Sequence, residues 1–232
     1  MFRNQLKNII FGLSQKSDGQ MMLVHAPEAL ENRKKFFTRL GLDSLDTVIA
    51  ALVHGNTVQA VGSIDKSRII KHTDALITNE KHVILTVTAA DCLPIYFYNA
   101  DQTAVGLAHA GWRGVEANIV ANVVTAFRET FGVEAKDIGV SIGPHIRACH
   151  FSVLEDVALQ FGKYVEFIER KGKVSYIDLA GIVCKQLVDA GVRNEAITVS
   201  PECTFEEPEQ YFSYRRDKPA QVHAQVAYIG IL

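Results

Sequence analysis

Long apolar runs are missing from this chain. Near its start, MFRNQLKNIIFGLSQKSDG holds five apolar residues before polar ones resume, whereas a secretory core needs about 7–15 and a membrane span about 20. No later stretch of spanning length is free of charge, so the sequence reads as cytoplasmic and without a membrane partner. Blocks of like charge are missing too. The 24 basic and 26 acidic residues are interspersed, for a net charge of −2, which gives no support to a nucleic-acid surface. Only a local pair such as Arg215-Arg216 is left to meet a small anion. Cysteine is scarce: Cys92, Cys149, Cys184 and Cys203 form no C-x-x-C pair, so in a reducing compartment they are free thiols or metal ligands rather than staples. Eight histidines contain no His-x-His step, the unit from which the trinuclear cluster of a multicopper oxidase is assembled. Methionine occurs only at 1, 21 and 22, away from the reactive segments, where a blue-copper site would want a weak axial ligand. Repeats, low-complexity tracts and Pro/Gly/Ser linkers are absent, so residues 1–232 read as one domain.

What is present is ordinary globular material, with 48% hydrophobic residues, enough for a sizeable core. Strand-like and helix-like periods alternate. Residues 28–40 have the pattern of a helix closed by Gly41. Short β-branched and aromatic runs at 47–53, 57–61, 83–89, 94–98 and 104–108 read as strands. The period then changes: Val115, Ile119, Val120, Val123, Val124 and Phe127 fit one helix over 115–130, with Gly132 as its stop. A strand at 138–142 follows. Ser152 and Glu155 have capping-box spacing, and Asp178 opens a helix that ends at Gly191. Strands at 196–200 and 222–231 complete an α/β or α+β layered chain with mixed strand directions.

Reactive residues concentrate where strands end: Val53-His54-Gly55-Asn56, Asp91-Cys92-Leu93-Pro94, and His109-Ala110-Gly111-Trp112-Arg113-Gly114. Loops at strand ends are where a rigid scaffold presents catalytic groups. Gly114 falls where helix-start amides can hold an anion. Two imidazoles and a thiolate from His54, His109 and Cys92 suit zinc. Three protein ligands leave the fourth tetrahedral position open, as in a catalytic rather than a structural site, and water there becomes acidic enough to act near pH 7. The residue types also allow a plainer alternative, in which Cys92 is a small buried hydrophobe and each histidine a hydrogen-bonded core residue. Trp112 is suited either to stacking on a base or to packing against the core.

The segments VHGN at 53–56, HTDALIT at 72–78, TAADCLPIYFY at 88–98, AHAGWRG at 108–114, SIGPHIRACHFSV at 141–153 and CTFEEPEQYFSYRRD at 203–217 resemble, in order, those of the YfiH family. Its members have long been labelled polyphenol oxidase or laccase-domain proteins, and the family is linked to purine nucleoside phosphorolysis. The resemblance implies an α/β/β/α sandwich, two mixed β-sheets face to face with outer helices. It implies that His54, Cys92 and His109 bind zinc. It also implies phosphorolysis of adenosine and inosine, with methylthioadenosine as a further substrate and adenosine deamination as a side activity. The partners are then a purine nucleoside and phosphate, in a monomer or small homo-oligomer.

For deamination, Asp91 and Asp74 are the carboxylates available to move a proton to a purine attacked at C6, although Asp91 is equally suited to orienting the cysteine loop. For phosphorolysis, a planar guanidinium suits the phosphate dianion. Arg113 is the first choice, with Arg215 and Arg216 behind it, and Asn56 and Asp74 complete the substrate contacts. His145, Cys149 and His150 look like a second metal cluster, but the family pattern favours a site-wall role. Cys203 reads as a buried structural thiol. Asn32-Arg33 echoes a family pair, yet on a helix it reads as surface. The chain departs from the family in KPAQVHAQVAYIGIL at its end and in its shorter N-terminal segment, which leaves substrate preference open. Two rivals remain: a metal-free cysteine hydrolase using Cys92 and His109, and a copper-dependent phenol oxidase, since copper uptake in vitro follows from affinity order alone.

Overall fold

A computed structural model describes residues 2–23 and 27–232. The strands are β1 (Arg3–Gln5), β2 (Ile9–Leu13), β3 (Thr47–Ala51), β4 (Val58–Ala60), β5 (Ile69–Lys71), β6 (Ala75–Thr78), β7 (Ile84–Ala89) and β8 (Leu93–Asn99). They continue as β9 (Val105–Ala110), β10 (Ile138–Ile142), β11 (Ser152–Val153), β12 (Ile168–Lys171), β13 (Val174–Ile177), β14 (Ile197–Val199) and β15 (Gln225–Ile231). The helices are α1 (Glu28–Arg39), α2 (Trp112–Glu116), α3 (Ile119–Phe131), α4 (Glu155–Ala158), α5 (Leu179–Asp189) and α6 (Tyr214–Asp217). None of the described helices is long and apolar enough to cross a membrane.

Two six-stranded sheets form the body, ordered β1-β2-β15-β7-β3-β5 and β14-β10-β8-β9-β6-β4. Each mixes directions. In the first, β3 runs parallel to β5 and β7 while β15 is antiparallel to β7. In the second, β4–β6 and β10–β14 are parallel and the middle pairs antiparallel.

The period-two alternation of side chains separates the layers. In β15, Ala227 and Ile229 face one way and join Leu76, Tyr96 and Leu107 of the other sheet in the central core. Val226 and Tyr228 face the other way, onto Phe36 and Phe37 of α1. In β8, Ile95 and Phe97 turn outwards onto Val120, Val123, Phe127 and Ile182, the apolar stripes of α3 and α5. The architecture is therefore the expected α/β/β/α sandwich, with α1 outside one sheet and α3 and α5 outside the other.

Three local expectations are corrected. The single helix over 115–130 is two, because Asn118 sits at φ 55°, in the left-handed region, between α2 and α3. Asparagine tolerates that conformation better than most residues. Ser152 makes no capping box. It pairs with Tyr176 in β11, its oxygens accept from Arg215, and Glu155 is drawn to Arg170; Leu154 holds the N-cap position. The sheet β11-β13-β12 and the strands β1, β2, β5 and β6 were not anticipated. The stop at Gly132, at φ 68°, and the Asp178 cap, which accepts from the Gly181 amide, are as expected.

Candidate metal centre and substrate cleft

Three adjacent strand ends converge. β3 runs out into the loop carrying His54, β7 into Asp91-Cys92, and β9 ends on His109-Ala110. The ligating atoms of His54, Cys92 and His109 lie within 4.8 Å of one another, and the two imidazoles meet edge to face with ring centres 4.9 Å apart. His109 is buried, Cys92 half-buried and His54 exposed, so the group opens to solvent on one side.

Two buried aspartates hold the loops in place. One Asp74 carboxylate oxygen accepts from the His54 amide at 2.9 Å, and the other from the Val53 and Gly55 amides at 3.2 and 2.8 Å. These bonds offset the left-handed backbone of His54, at φ 58°. The same carboxylate lies 3.0 Å from His109 Nδ1. An ionised carboxylate accepts there, so Nδ1 keeps its proton and Nε2 is the nitrogen that ligates once its own proton has left. This is the arrangement in which an outer carboxylate orients a ligating histidine. Burial works against the charge on Asp74, but the bonds from His109 and the Gly55 amide outweigh it and hold the group below the usual carboxylate range.

Asp91 does the same for the cysteine loop, itself at φ 88°. One oxygen accepts from the Thr204 hydroxyl at 2.7 Å, the other from the Ser213 hydroxyl at 3.0 Å and the Arg215 amide at 2.7 Å. Both carboxylates proposed as proton carriers thus have their oxygens engaged by donors.

The electrostatics of the three ligands are linked. Burial pushes the Cys92 thiol up, but the charge of His109 and hydrogen bonds from both histidines reverse this and bring it down to about 6. Burial likewise opposes charge on His109; Cys92 and Asp74 overcome it and raise the imidazole to about 9. Near pH 7 the chain therefore holds a thiolate facing an imidazolium. The donor set fits a divalent metal such as zinc: two imidazoles, a ready thiolate and an oriented Nε2 within bonding reach of one point.

Two lobes of a cleft meet at this group, and His54 and Cys92 line both. The smaller, about 240 Å³, is walled by Asp91, Trp112, Arg113, Phe151, Tyr214 and Arg215. The larger, about 570 Å³, is mostly apolar, with Met22, Leu23, Ile49, Leu52, Ile69 and Val222, and also takes in His109 and Arg33. The Arg113 guanidinium lies over the half-buried Trp112 ring at 4.2 Å, and both residues line the smaller lobe.

Other expected residues fall differently. Arg215 also lines the smaller lobe, resting on Phe151 at 5.2 Å and donating to Ser152. Arg216 is spent on the carbonyls of Thr204, Phe205 and Tyr211 and on Asp217. The Asn56 side-chain amide donates to the Ala117 carbonyl, and the Asn56 backbone carbonyl accepts from the Asn122 side chain, which ties the His54 loop to α3. Gly114 is a point of close approach, since a Cβ there would meet the Gly55 carbonyl at 3.0 Å. His145 is buried and bonded to the Gly143 carbonyl at 2.8 Å, apart from Cys149 and His150.

Two cleft residues escaped the sequence. Met22, remote from the reactive segments along the chain, lines the larger lobe. Arg33, read as a surface residue, is buried, donates to Met21 and Thr86, and is lowered by burial to about 10. The Asn-Arg echo was the one signal that could have found it.

Residues 25–231 match a family model described as multi-copper polyphenol oxidoreductase laccase. Purine nucleoside phosphorylase YlmD of Bacillus subtilis is 32% identical, over 95% of this chain and 85% of that protein. Among solved structures, the hypothetical protein YfiH of Bacillus licheniformis superposes with a TM-score of 0.92 at 29% identity, covering 97% of this chain and 93% of that one. YlmD of Geobacillus stearothermophilus does so at 0.91 and 30% identity, covering 97% and 92%.

Proposed function

The chain belongs to the multi-copper polyphenol oxidoreductase laccase family, and from that premise we propose that it is a zinc-dependent purine nucleoside phosphorylase. Adenosine and inosine are its substrates, methylthioadenosine a further one and adenosine deamination a side reaction, in the cytoplasm. The observation that carries this reading is the joining of an open His54–Cys92–His109 centre to two lobes, the smaller of which is lined by Arg113 and Arg215. The purine named in the relatives' activity fits the larger, apolar lobe. Phosphate fits the smaller one, where Arg113 offers a planar fork that no acidic side chain claims among the described residues, beside Arg215. The absence of any His-x-His step weighs against the cluster implied by the family's label.

In the reaction, a phosphate oxygen attacks ribose C1′ as the bond from C1′ to the purine nitrogen breaks. The bond electrons leave on the base, and the proton of hydrogenphosphate ends there. Arg113 and Arg215 hold the dianion against the developing oxocarbenium ion. Asp74 keeps His109 in one tautomer. Asp91 acts by fixing the Cys92 loop and the Arg215 backbone, rather than by carrying a proton. A bound zinc would supply Lewis acidity toward a substrate oxygen or nitrogen.

Zinc-loaded protein incubated with inosine and phosphate should release hypoxanthine and ribose 1-phosphate. No product at any phosphate concentration refutes the reading, and adenosine left unconverted to inosine without phosphate removes the deaminase part. The thiolate–imidazolium pair of Cys92 and His109 favours one second reading, a metal-free cysteine hydrolase. It requires turnover that survives chelation and is lost in Cys92→Ser.

A further inference from the structure

A second group of ligating side chains lies outside this cleft. Cys149 and His150 are neighbours on the turn closed by the His150 and Phe151 amides onto the Arg147 carbonyl, at 3.0 and 2.9 Å. Cys203 and Glu206 are joined by a turn of their own, the Glu206 amide donating to the Cys203 carbonyl at 3.1 Å. The two turns are held side by side by the bridge between His145 and Cys203 and by the Thr204 amide, which donates to the His145 carbonyl at 3.1 Å. As a result the thiols of Cys149 and Cys203, the His150 imidazole and the Glu206 carboxylate put their ligating atoms within 4.8 Å of one another.

The geometry is close to what one ion needs. Zinc bonds of about 2.0–2.3 Å set tetrahedral donor–donor edges of roughly 3.3–3.8 Å. His150 Nδ1 stands 3.2 Å from the Cys149 sulfur and 3.6 Å from a Glu206 oxygen. The His150 ring is stacked on Phe205 at 4.1 Å, nearly parallel to it, which holds the plane of the ring whose Nδ1 faces Cys149 and Glu206. Two thiols and one carboxylate also crowd potential negative charge into one place, which a divalent cation would neutralise.

We propose that Cys149, His150, Cys203 and Glu206 form a second divalent-metal site, closed by four protein ligands and suited to zinc, which clips two surface turns together. Four protein ligands leave no open position, so the site is structural, unlike the three-ligand centre. The sequence grouped His145 with Cys149 and His150; Cys203 and Glu206 take its place. The clip bears on the cleft because both turns carry its wall. Ile146 and Phe151 of the first line the smaller lobe, and Thr204 of the second holds Asp91 and, through its carbonyl, Arg216.

Metal stoichiometry of the full chain, stripped and reloaded with zinc under reducing conditions, tests this. Wild type should bind two equivalents, and Cys92→Ser and Cys149→Ser one each. Cobalt in either single variant should still show thiolate-to-cobalt charge transfer, which the double variant loses. Cys149 is exposed, so its serine variant is expected to fold, and circular dichroism checks it. In the Cys92→Ser background, chelation should lower the Tm. Saturation of wild type at one equivalent, unchanged in Cys149→Ser, overturns the proposal; so does a Cys149–Cys203 disulfide that persists in reductant and leaves no second equivalent. None of these readouts uses turnover, so the second site can fail while the phosphorylase reading stands, and the reverse.

Discussion

Asp74 gathers three backbone amides and one imidazole onto a single buried carboxylate. It therefore sets both the loop of one ligand and the tautomer of another. Asp74→Asn presents an NH₂ to these donors and removes the charge. Zinc affinity, measured by chelator competition, should fall about 10–100-fold, the usual cost of losing such a partner; an unchanged affinity would mean that Asp74 does not orient the ligand. Arg113→Ala should raise the KM for phosphate about tenfold or more with a smaller effect on the KM for inosine, and Arg113→Lys should recover little of it, because an ammonium lacks the fork.

The linked titration of Cys92 and His109 gives metal binding a pH dependence. Ligation needs both groups deprotonated. Between about 6 and about 9 the thiol is already ionised and His109 protonated, so each zinc bound should expel one proton and affinity should rise about tenfold per pH unit. Below about 6 the thiol binds a proton as well and the slope should steepen; above about 9 it should flatten. Calorimetry in two buffers of unlike ionisation enthalpy reads the proton count directly. At this scale His54, Cys92, His109 and Arg113 could be singled out because each stands in a short, chemically unusual segment at a strand end. Arg33 was not. A charge among charges on an amphipathic helix looks solvated, and only the approach of α1 to Thr86 of β7 buries it.

Among the elements, the turn from β9 into α2 is the tightest part of the centre. A Cβ on Gly111 would stand 3.1 Å from the Cys92 sulfur and 3.3 Å from His54 Cδ2, while the backbone there, at φ −73°, accepts any residue. Gly111→Ala should thus leave the fold's stability nearly unchanged but cut zinc affinity, seen as metal lost in dialysis with the Tm of the stripped protein held. Equal loss of stripped-protein stability would show that the glycine serves the fold instead. The long helix, the buried strands and the Asp178 and Gly132 ends could be read because apolar period and cap chemistry agree there. The break at Asn118 could not, since the apolar stripe runs on through it. The sheet of β11, β12 and β13 was hidden because much of its surface is exposed and polar, and β6 because four buried residues show no alternation.

For the whole molecule, the two sheets do more than fill a core. β3 and β7 of one and β9 of the other deliver a ligand each, so the centre is anchored on both layers. The layered order was implied by the resemblance and not by periodicity, which shows that strands have two buried faces without saying which sheet meets which. The apolar lobe draws on segments from Met22 to Val222, and no local pattern could have joined them. The account's central claim is that this cleft, with zinc at His54, Cys92 and His109, splits purine nucleosides with phosphate. The measurement that bears on it most directly is ribose 1-phosphate formation from inosine by wild type and Cys92→Ser, each stripped of metal and then reloaded. Formation by wild type that disappears on stripping, returns with zinc and never appears in Cys92→Ser is the expected result; formation undiminished in the stripped enzyme would contradict it.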